Sequence, residues 1–271
     1  MGLRVNTNIF SLTAQRNLNN VTSRLQGNFS RLSSGLRIAN ASDDAAGLGI
    51  SERMRSQIRS LGAASRNSQD GISLVQTAES ALAETGSNLA RMRELAVQAS
   101  SGTVNAQDRA TIDAEFTALS TEITRIADQT EFNGIKLLND TATIAIQVGV
   151  DSGDTISITN TDNDATSLGV AALDTLTTTN AQAALASIDT AIDSVTTSRG
   201  SLGASQNRLQ STFRSILTSS ENLSAAESRI RDVDVAFETA DLTRNSILQQ
   251  ASVSILSQAN VQPQLALSLL G

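Results

Sequence analysis

The stretch Ile188–Phe237 reads IDTAIDSVTTSRGSLGASQNRLQSTFRSILTSSENLSAAESRIRDVDVAF. Stepping by seven from its first residue meets Ile188, Val195, Leu202, Leu209, Ile216, Leu223, Ile230 and Phe237, all apolar. The chain is 39% hydrophobic, so random placement would rarely fill this series. A seven-residue period held this long is a coiled-coil seam. The companion seam is uneven: Leu185, Ile192 and Phe213 fit it, whereas Arg199, Gln206, Ser220, Glu227 and Asp234 do not. This predicts a partly buried helix in a bundle, with one edge facing a partner or solvent. After Asp234 the stripe moves to Leu248 and Ile255, which reads as a stutter or a break between two helical segments.

Working outward, the N-terminal half mirrors the pattern. Met54, Leu61, Val75, Leu82 and Leu89 share one seam, with Ile58 and Ile72 beside it. Ile112, Phe116, Leu119, Ile123 and Ile126 define a third helix, linked to the second by the loop-like Ser100–Asn105. Short links suggest an up-down bundle. Leu18, Val21, Leu25, Phe29, Leu32 and Leu36 form a further amphipathic run, ended by Gly35 and Asn40–Asp44. Asp43 or Asp44 is placed to cap the helix that follows. Between the halves, Thr143–Val148 and Thr155–Thr159 flank Asp151-Ser152-Gly153-Asp154 and predict a β-hairpin. Asn133-Gly134 predicts a second tight turn. The expected class is mostly α: a long-helix bundle or coiled coil of N- and C-terminal halves with a small hairpin region. The expected divisions are paired terminal helices at 1–42 and 232–271, a helical bundle at 43–140 and 180–231, and a hairpin with polar connections at 141–179.

Composition narrows the function. The chain of 271 residues has no His, Cys, Trp or Tyr, six Phe and one Pro, Pro263. Aliphatic side chains therefore carry most burial, and long helices can run unbroken. Without His or Cys, the commonest general base, zinc ligands and thiol nucleophiles are gone. Lys136 is the only lysine and no phosphate-binding loop is present, so the expectation is no enzyme, no metal and no cofactor. Asp162-Asn163-Asp164 lacks the Gly and distal Glu of a calcium loop and reads as a polar turn. A net charge of −7 argues against nucleic acid as a partner. No apolar run of about 18 residues argues against a membrane span, and no secretory apolar segment follows Met1.

The ends carry opposite charge. Residues 1–42 hold Arg4, Arg16, Arg24, Arg31 and Arg37 and no acid; residues 232–271 hold Asp232, Asp234, Glu238 and Asp241 against Arg244. An Arg-rich, acid-poor start also fits a transit peptide, but a removable leader needs no matched partner at the far end. Several ion pairs together favour one pairing over wrong ones. The expected packing residues are Leu18, Val21, Leu25 and Leu32 with Leu209, Ile216, Leu223, Ile230, Phe237, Leu248 and Ile255.

These ends resemble those of bacterial flagellins. The resemblance rests on Asn6-Thr7-Asn8, on Arg31–Ile38 continuing through Ala41–Ile50, on Arg93–Ala99, on Phe132–Leu138, and on the C-terminal block Ile247–Ala251, Gln258–Asn260 and Leu269-Leu270. It implies an extracellular flagellar filament, with terminal helices lining its inner tubes and copies of the chain as main partner. It also implies unfolded export through the flagellar type III path without a cleaved signal, an export chaperone at the C-terminal segment, and junction and cap proteins at the filament ends. Only about forty residues separate the conserved halves, so the variable outer domains of longer flagellins are absent and a smooth filament surface is expected. In flagellins recognised by the Toll-like innate receptor, an Arg, a Leu and a Glu form the contact; they match Arg91, Leu95 and Glu115. The Thr175–Thr179 stretch would correspond to an O-glycosylated or merely exposed linker. Two other readings stay open: a hook–filament junction protein, and an unrelated coiled-coil adaptor.

Overall fold

The structure, a computed structural model, describes residues 7–268, with side chains described to residue 261. Arg4, Asn6 and Leu269-Leu270 lie outside the described residues. The order is α1 (Ile9–Ser34), α2 (Ala45–Ala99), α3 (Ala106–Gln129), β1 (Glu131–Phe132), β2 (Ile135–Lys136), β3 (Thr143–Gln147), β4 (Thr155–Thr159), α4 (Thr178–Arg231) and α5 (Val235–Ser268). The fold is mostly α, as the periodicity predicts. It divides into two compact units. One is built from the two ends, up to Ser56 and from Asn222; the other spans Gln57–Glu221.

In the central unit, α2 and α4 run antiparallel. Arg93 meets Asp189 at 2.6 Å and Arg199 meets Glu79 at 2.9 Å, so paired residues descend on one helix as they ascend on the other. Helix α3 is antiparallel to α2 through Arg91–Glu115 and through Arg109, whose Nη1 donates to the Ala99 carbonyl. Asn105 caps α3 by accepting from the Asp108 N–H at 2.9 Å. Strands β3 and β4 pair in the register Thr143↔Thr159 to Gln147↔Thr155, and Asn67 ties the hairpin to α2 by donating to the Gln147 carbonyl. Asn133 and Gly134 both have positive φ, 50° and 79°, which suits the two-residue turn joining β1 to β2.

The seams are where the sequence reading needs correcting. Ile188, Val195, Leu202, Leu209 and Ile216 are buried and Leu223 and Ile230 half-buried. Ala181 extends that seam one heptad back, and the companion stripe is Ala184, Ala191 and Ser198, all buried, whereas Leu185 and Ile192 are only half-buried. Helix α2 repeats this: Leu61, Ser68, Val75, Leu82, Leu89 and Ala96 run beside Ala64, Gly71, Ala78, Thr85, Met92 and Ala99. Small residues let helices approach closely, and close packing is what fills a core. Ser68 and Thr85 satisfy their hydroxyls on the Ala64 and Ala81 carbonyls one turn back, so they cost little when buried.

Phe237 does not continue the α4 seam. The helix ends at Arg231 because the backbone turns to pair with the segment after α1: Arg37 donates its N–H to the Arg231 carbonyl, and Val233 to that of Gly35. Asp234 then caps α5, accepting from the Ala236 and Phe237 N–H groups at 3.0 and 3.1 Å. Phe237 is 65% exposed. The break expected near Asp234 is real; the seam simply does not cross it. Asp44 caps α2 by accepting from Gly47, and Asp43 closes the preceding turn by accepting from Ala39 and Asn40. Those two backbone donors hold the Asp43 carboxyl below its ordinary range.

Candidate assembly surface

Helix α1 lies antiparallel on α5 within the terminal unit. Asn8 caps α1 by accepting from Ser11, and donates to the Ala259 carbonyl at 2.7 Å. Ser11 Oγ donates to Asn260 at 2.7 Å. Near the other end, a β-bridge joins Leu36 to Asp232. Both helices show heptad burial. On α1 the stripe is Ser11, Ala14, Leu18, Val21, Leu25, Asn28 and Leu32; on α5 it is Glu238, Leu242, Asn245, Gln249, Ser252, Leu256 and Ala259.

The expected α1 residues Leu18, Val21, Leu25 and Leu32 therefore sit in the seam. The expected α5 residues do not: Leu248 is 43% exposed and Ile255 60%. The positions that face α1 include Glu238, Asn245, Gln249 and Ser252, which a search for apolar periodicity passes over.

Towards the end where α5 begins is a buried polar cluster. Glu238 Oε1 accepts from Asn28 Nδ2 at 2.7 Å, from Arg31 Nε at 2.8 Å and from Arg31 Nη2 at 2.7 Å. Asn28 Oδ1 accepts from Asn245 Nδ2 at 3.0 Å. Asn28 is 2% exposed with both ends of its amide bonded, so the Asn28-Phe29-Ser30 sequence is no surface acceptor for a glycan. Arg31–Glu238 is the one ion pair joining α1 to α5 among the described residues. The opposite charge of the ends is thus delivered by a single half-buried pair rather than by several surface ones. Asp241 instead pairs with Arg244 on its own helix.

The apolar residues left outside are concentrated here. Of seventeen exposed large hydrophobics among the described residues, twelve belong to the terminal unit, among them Ile9, Phe10, Leu12, Phe237, Ile247 and Ile255. Scattered exposed apolar residues are normal, but a concentration on one small unit marks an interaction surface.

The central unit holds the Arg91, Leu95 and Glu115 set. Arg91 forks onto Glu115 with Nε at 3.0 Å and Nη2 at 2.9 Å, and reaches Glu94 at 2.9 Å. These carboxylates, Glu115 first, hold the guanidinium pKa above its ordinary value. Leu95 is 2% exposed, so the solvent-facing part of the set is the Arg91–Glu115 pair. Thr175 is fully buried, its N–H and hydroxyl on Asp113, and Thr177 caps α4 through Asn180. Asp162-Asn163-Asp164 is a turn closed by Ser167, which donates to both aspartates.

Helices paired along a partly polar seam, with aliphatic side chains turned outward, define a self-associating structural subunit. Comparison with known proteins gives the family. The chain belongs to the bacterial flagellins: the Bacterial flagellin N-terminal helical region matches residues 5–143 and the Bacterial flagellin C-terminal helical region matches residues 185–270. It is 52% identical to a flagellin of Halalkalibacterium halodurans, over 98% of this chain and 99% of that one. It is 47% identical to a flagellin of Bacillus subtilis, over 99% of this chain and 100% of that one. A crystal structure of Bacillus cereus flagellin, 36% identical, superposes with a TM-score of 0.52 over 60% of this chain and 94% of that one. It is a structural protein and not an enzyme.

Proposed function

We propose that the outward apolar residues of α1 and α5 are the surface through which copies of this flagellin polymerise. The chain is a structural subunit of the flagellar filament, the extracellular part of the flagellum. The observation that carries the proposed surface is the concentration of exposed aliphatic and Phe side chains on the terminal unit. Burying four of them at about 1.5–3 kcal/mol each yields roughly 6–12 kcal/mol. Association costs about 4–15 kcal/mol. One neighbour is then marginal, while a site touching several neighbours at a growing end is stable. Growth therefore needs a seed.

The test is elongation on short filament fragments. Ile255→Asp is expected to abolish growth while leaving the monomer's helical circular dichroism unchanged, because Ile255 is 60% exposed in the single chain. Normal growth by that variant overturns the assignment. Long tubes from the unaltered chain also favour the filament subunit over a junction protein, which adds in few copies.

The same surface supports the further partners. Ile247, Leu248, Val253 and Ile255 would be unshielded before assembly, which favours an export chaperone on the C-terminal segment. Junction and cap proteins would meet it at the filament ends. The innate-receptor contact at Arg91, Leu95 and Glu115 is proposed for the free monomer, with Leu95 supporting the exposed pair from beneath. An Arg91→Ala, Leu95→Ala monomer that signals as well as the unaltered chain overturns it.

A further inference from the structure

We infer that Asn28, Arg31, Glu238 and Asn245 form a rotational lock, which holds the polar edge of α5 against α1 and so keeps its apolar edge free for other copies. The inference rests on the polymerisation reading above. It begins from an anomaly in α5. Its seam contains Glu238, Asn245, Gln249 and Ser252, while Leu248 and Ile255 stand outside. Leu248 and Ile255 immediately precede the seam residues Gln249 and Leu256, so they lie about 100° around the helix. Turning α5 by roughly that angle would replace Gln249 by Leu248 and Leu256 by Ile255. The same turn would bring Phe237 in for Glu238 but also Asp241 for Leu242, Arg244 for Asn245 and Gln258 for Ala259, so burial alone neither favours nor excludes the turned state.

The cluster opposes it. Glu238 is 6% exposed and collects three donors from α1 on one oxygen. Asn245 is 9% exposed and donates to the Asn28 oxygen. Turning α5 strips Glu238 of Arg31 and Asn28, and leaves Asn28 and Arg31 with lost partners. A buried carboxylate without its cation is among the costliest arrangements a seam can hold. Polar residues at seam positions fix orientation at the expense of stability, the best-attested use of such groups. At the far end, Asn8 on the Ala259 carbonyl and Ser11 on Asn260 follow the same orientation.

The chain has no Cys, so introduced pairs report cleanly. Ala14→Cys with Leu256→Cys reads the observed orientation, and Ala14→Cys with Ile255→Cys the turned one. Both pairs lie several turns from the cluster, so they follow the whole helix rather than local damage. In the otherwise unaltered full-length chain the Leu256 pair should dominate intramolecular disulfide formation. In Asn28→Ala/Glu238→Ala/Asn245→Ala the ratio should move towards the Ile255 pair by on the order of tenfold, with elongation on unaltered seeds lost. Asn28→Leu/Asn245→Leu makes those two facing seam positions apolar while Arg31 still holds Glu238, so it should retain the Leu256 pair and elongate; a shift to the Ile255 pair in this variant also overturns the lock. An unchanged ratio in the alanine variant overturns the lock. Loss of both disulfides also overturns it, because the cluster then only holds the helices together. If the ratio moves but the Cys-free unaltered chain fails to elongate, the lock stands and the polymerisation reading falls.

Discussion

At the residue scale, two glycines of α2 separate packing from propensity. A Cβ on Gly71 would lie 3.3 Å from both Ile146 and Leu209, tighter than ordinary contact. A Cβ on Gly62 meets nothing within 4 Å. Both are helix-interior positions, where Ala is favoured over Gly by about 0.5–1 kcal/mol. Overpacking costs about 1–3 kcal/mol. Gly62→Ala is therefore expected to stabilise the central unit by up to about 1 kcal/mol, and Gly71→Ala to destabilise it by up to about 2 kcal/mol. Chemical denaturation followed by helical circular dichroism checks both, and equal signs would show that the hairpin does not press on Gly71. The absence of a side chain at position 71 is thus what lets Ile146 of β3 reach α2.

At the element scale, ion pairs and seams behave differently. Arg93 holds the exposed Asp189 carboxyl below its ordinary pKa, chiefly through its hydrogen bond. A lowered folded-state pKa gives stability that is present above the ordinary carboxylate value and is lost as pH falls through the lowered one. Asp189→Asn should melt below the unaltered chain at pH 7, and the two should converge below about pH 3; a gap that persists in acid would mean packing, not charge. The α1–α5 pair is weaker than the central bundle, since among the described residues three of its five buried positions, Asn28, Glu238 and Asn245, are polar. Elements with few buried apolar contacts open first. Trypsin acting on monomer should cut at the exposed Arg16, Arg24 and Arg244 before it touches Gln57–Glu221; early cuts at Arg91 or Arg93 would reverse that order. These differences also explain what the sequence made legible. A seam of Ile, Leu and Val announces itself, and so do the hairpin and the Asn133-Gly134 turn. The partner stripe of Ala184, Ala191 and Ser198 does not, because small residues are common on every face of a helix. The orientation of α5 was hidden for a deeper reason. Apolar periodicity marks what can be buried, and on the proposed assembly surface much of that burial would be against other copies, while four of the seven α5 seam residues are polar.

At the scale of the whole molecule, each copy carries a net charge of −7, so copies repel while their apolar edges attract. Among the described residues no helix is long and apolar enough to cross a membrane, so the exposed edge is no spanning segment. The balance sets how assembly responds to conditions. Screening falls to a length of about 3 Å at 1 M salt, which removes most long-range repulsion without touching the apolar term. Sulfate adds to that by favouring burial. Cooling acts in the opposite direction, because hydrophobic association weakens as temperature falls. The critical concentration for elongation on seeds should therefore drop when sulfate is added and rise when the sample is cooled from 25 to about 4 °C. The polymer's heat of growth should carry a negative heat-capacity change. Sedimentation of polymer at a series of temperatures and salt concentrations measures the first two, and titration calorimetry of monomer into seeds measures the third. If assembly were held by ion pairs between copies, salt would raise the critical concentration instead. That sign separates an interface made of the outward residues of α1 and α5 from one made of the charges that the sequence places so visibly at its two ends.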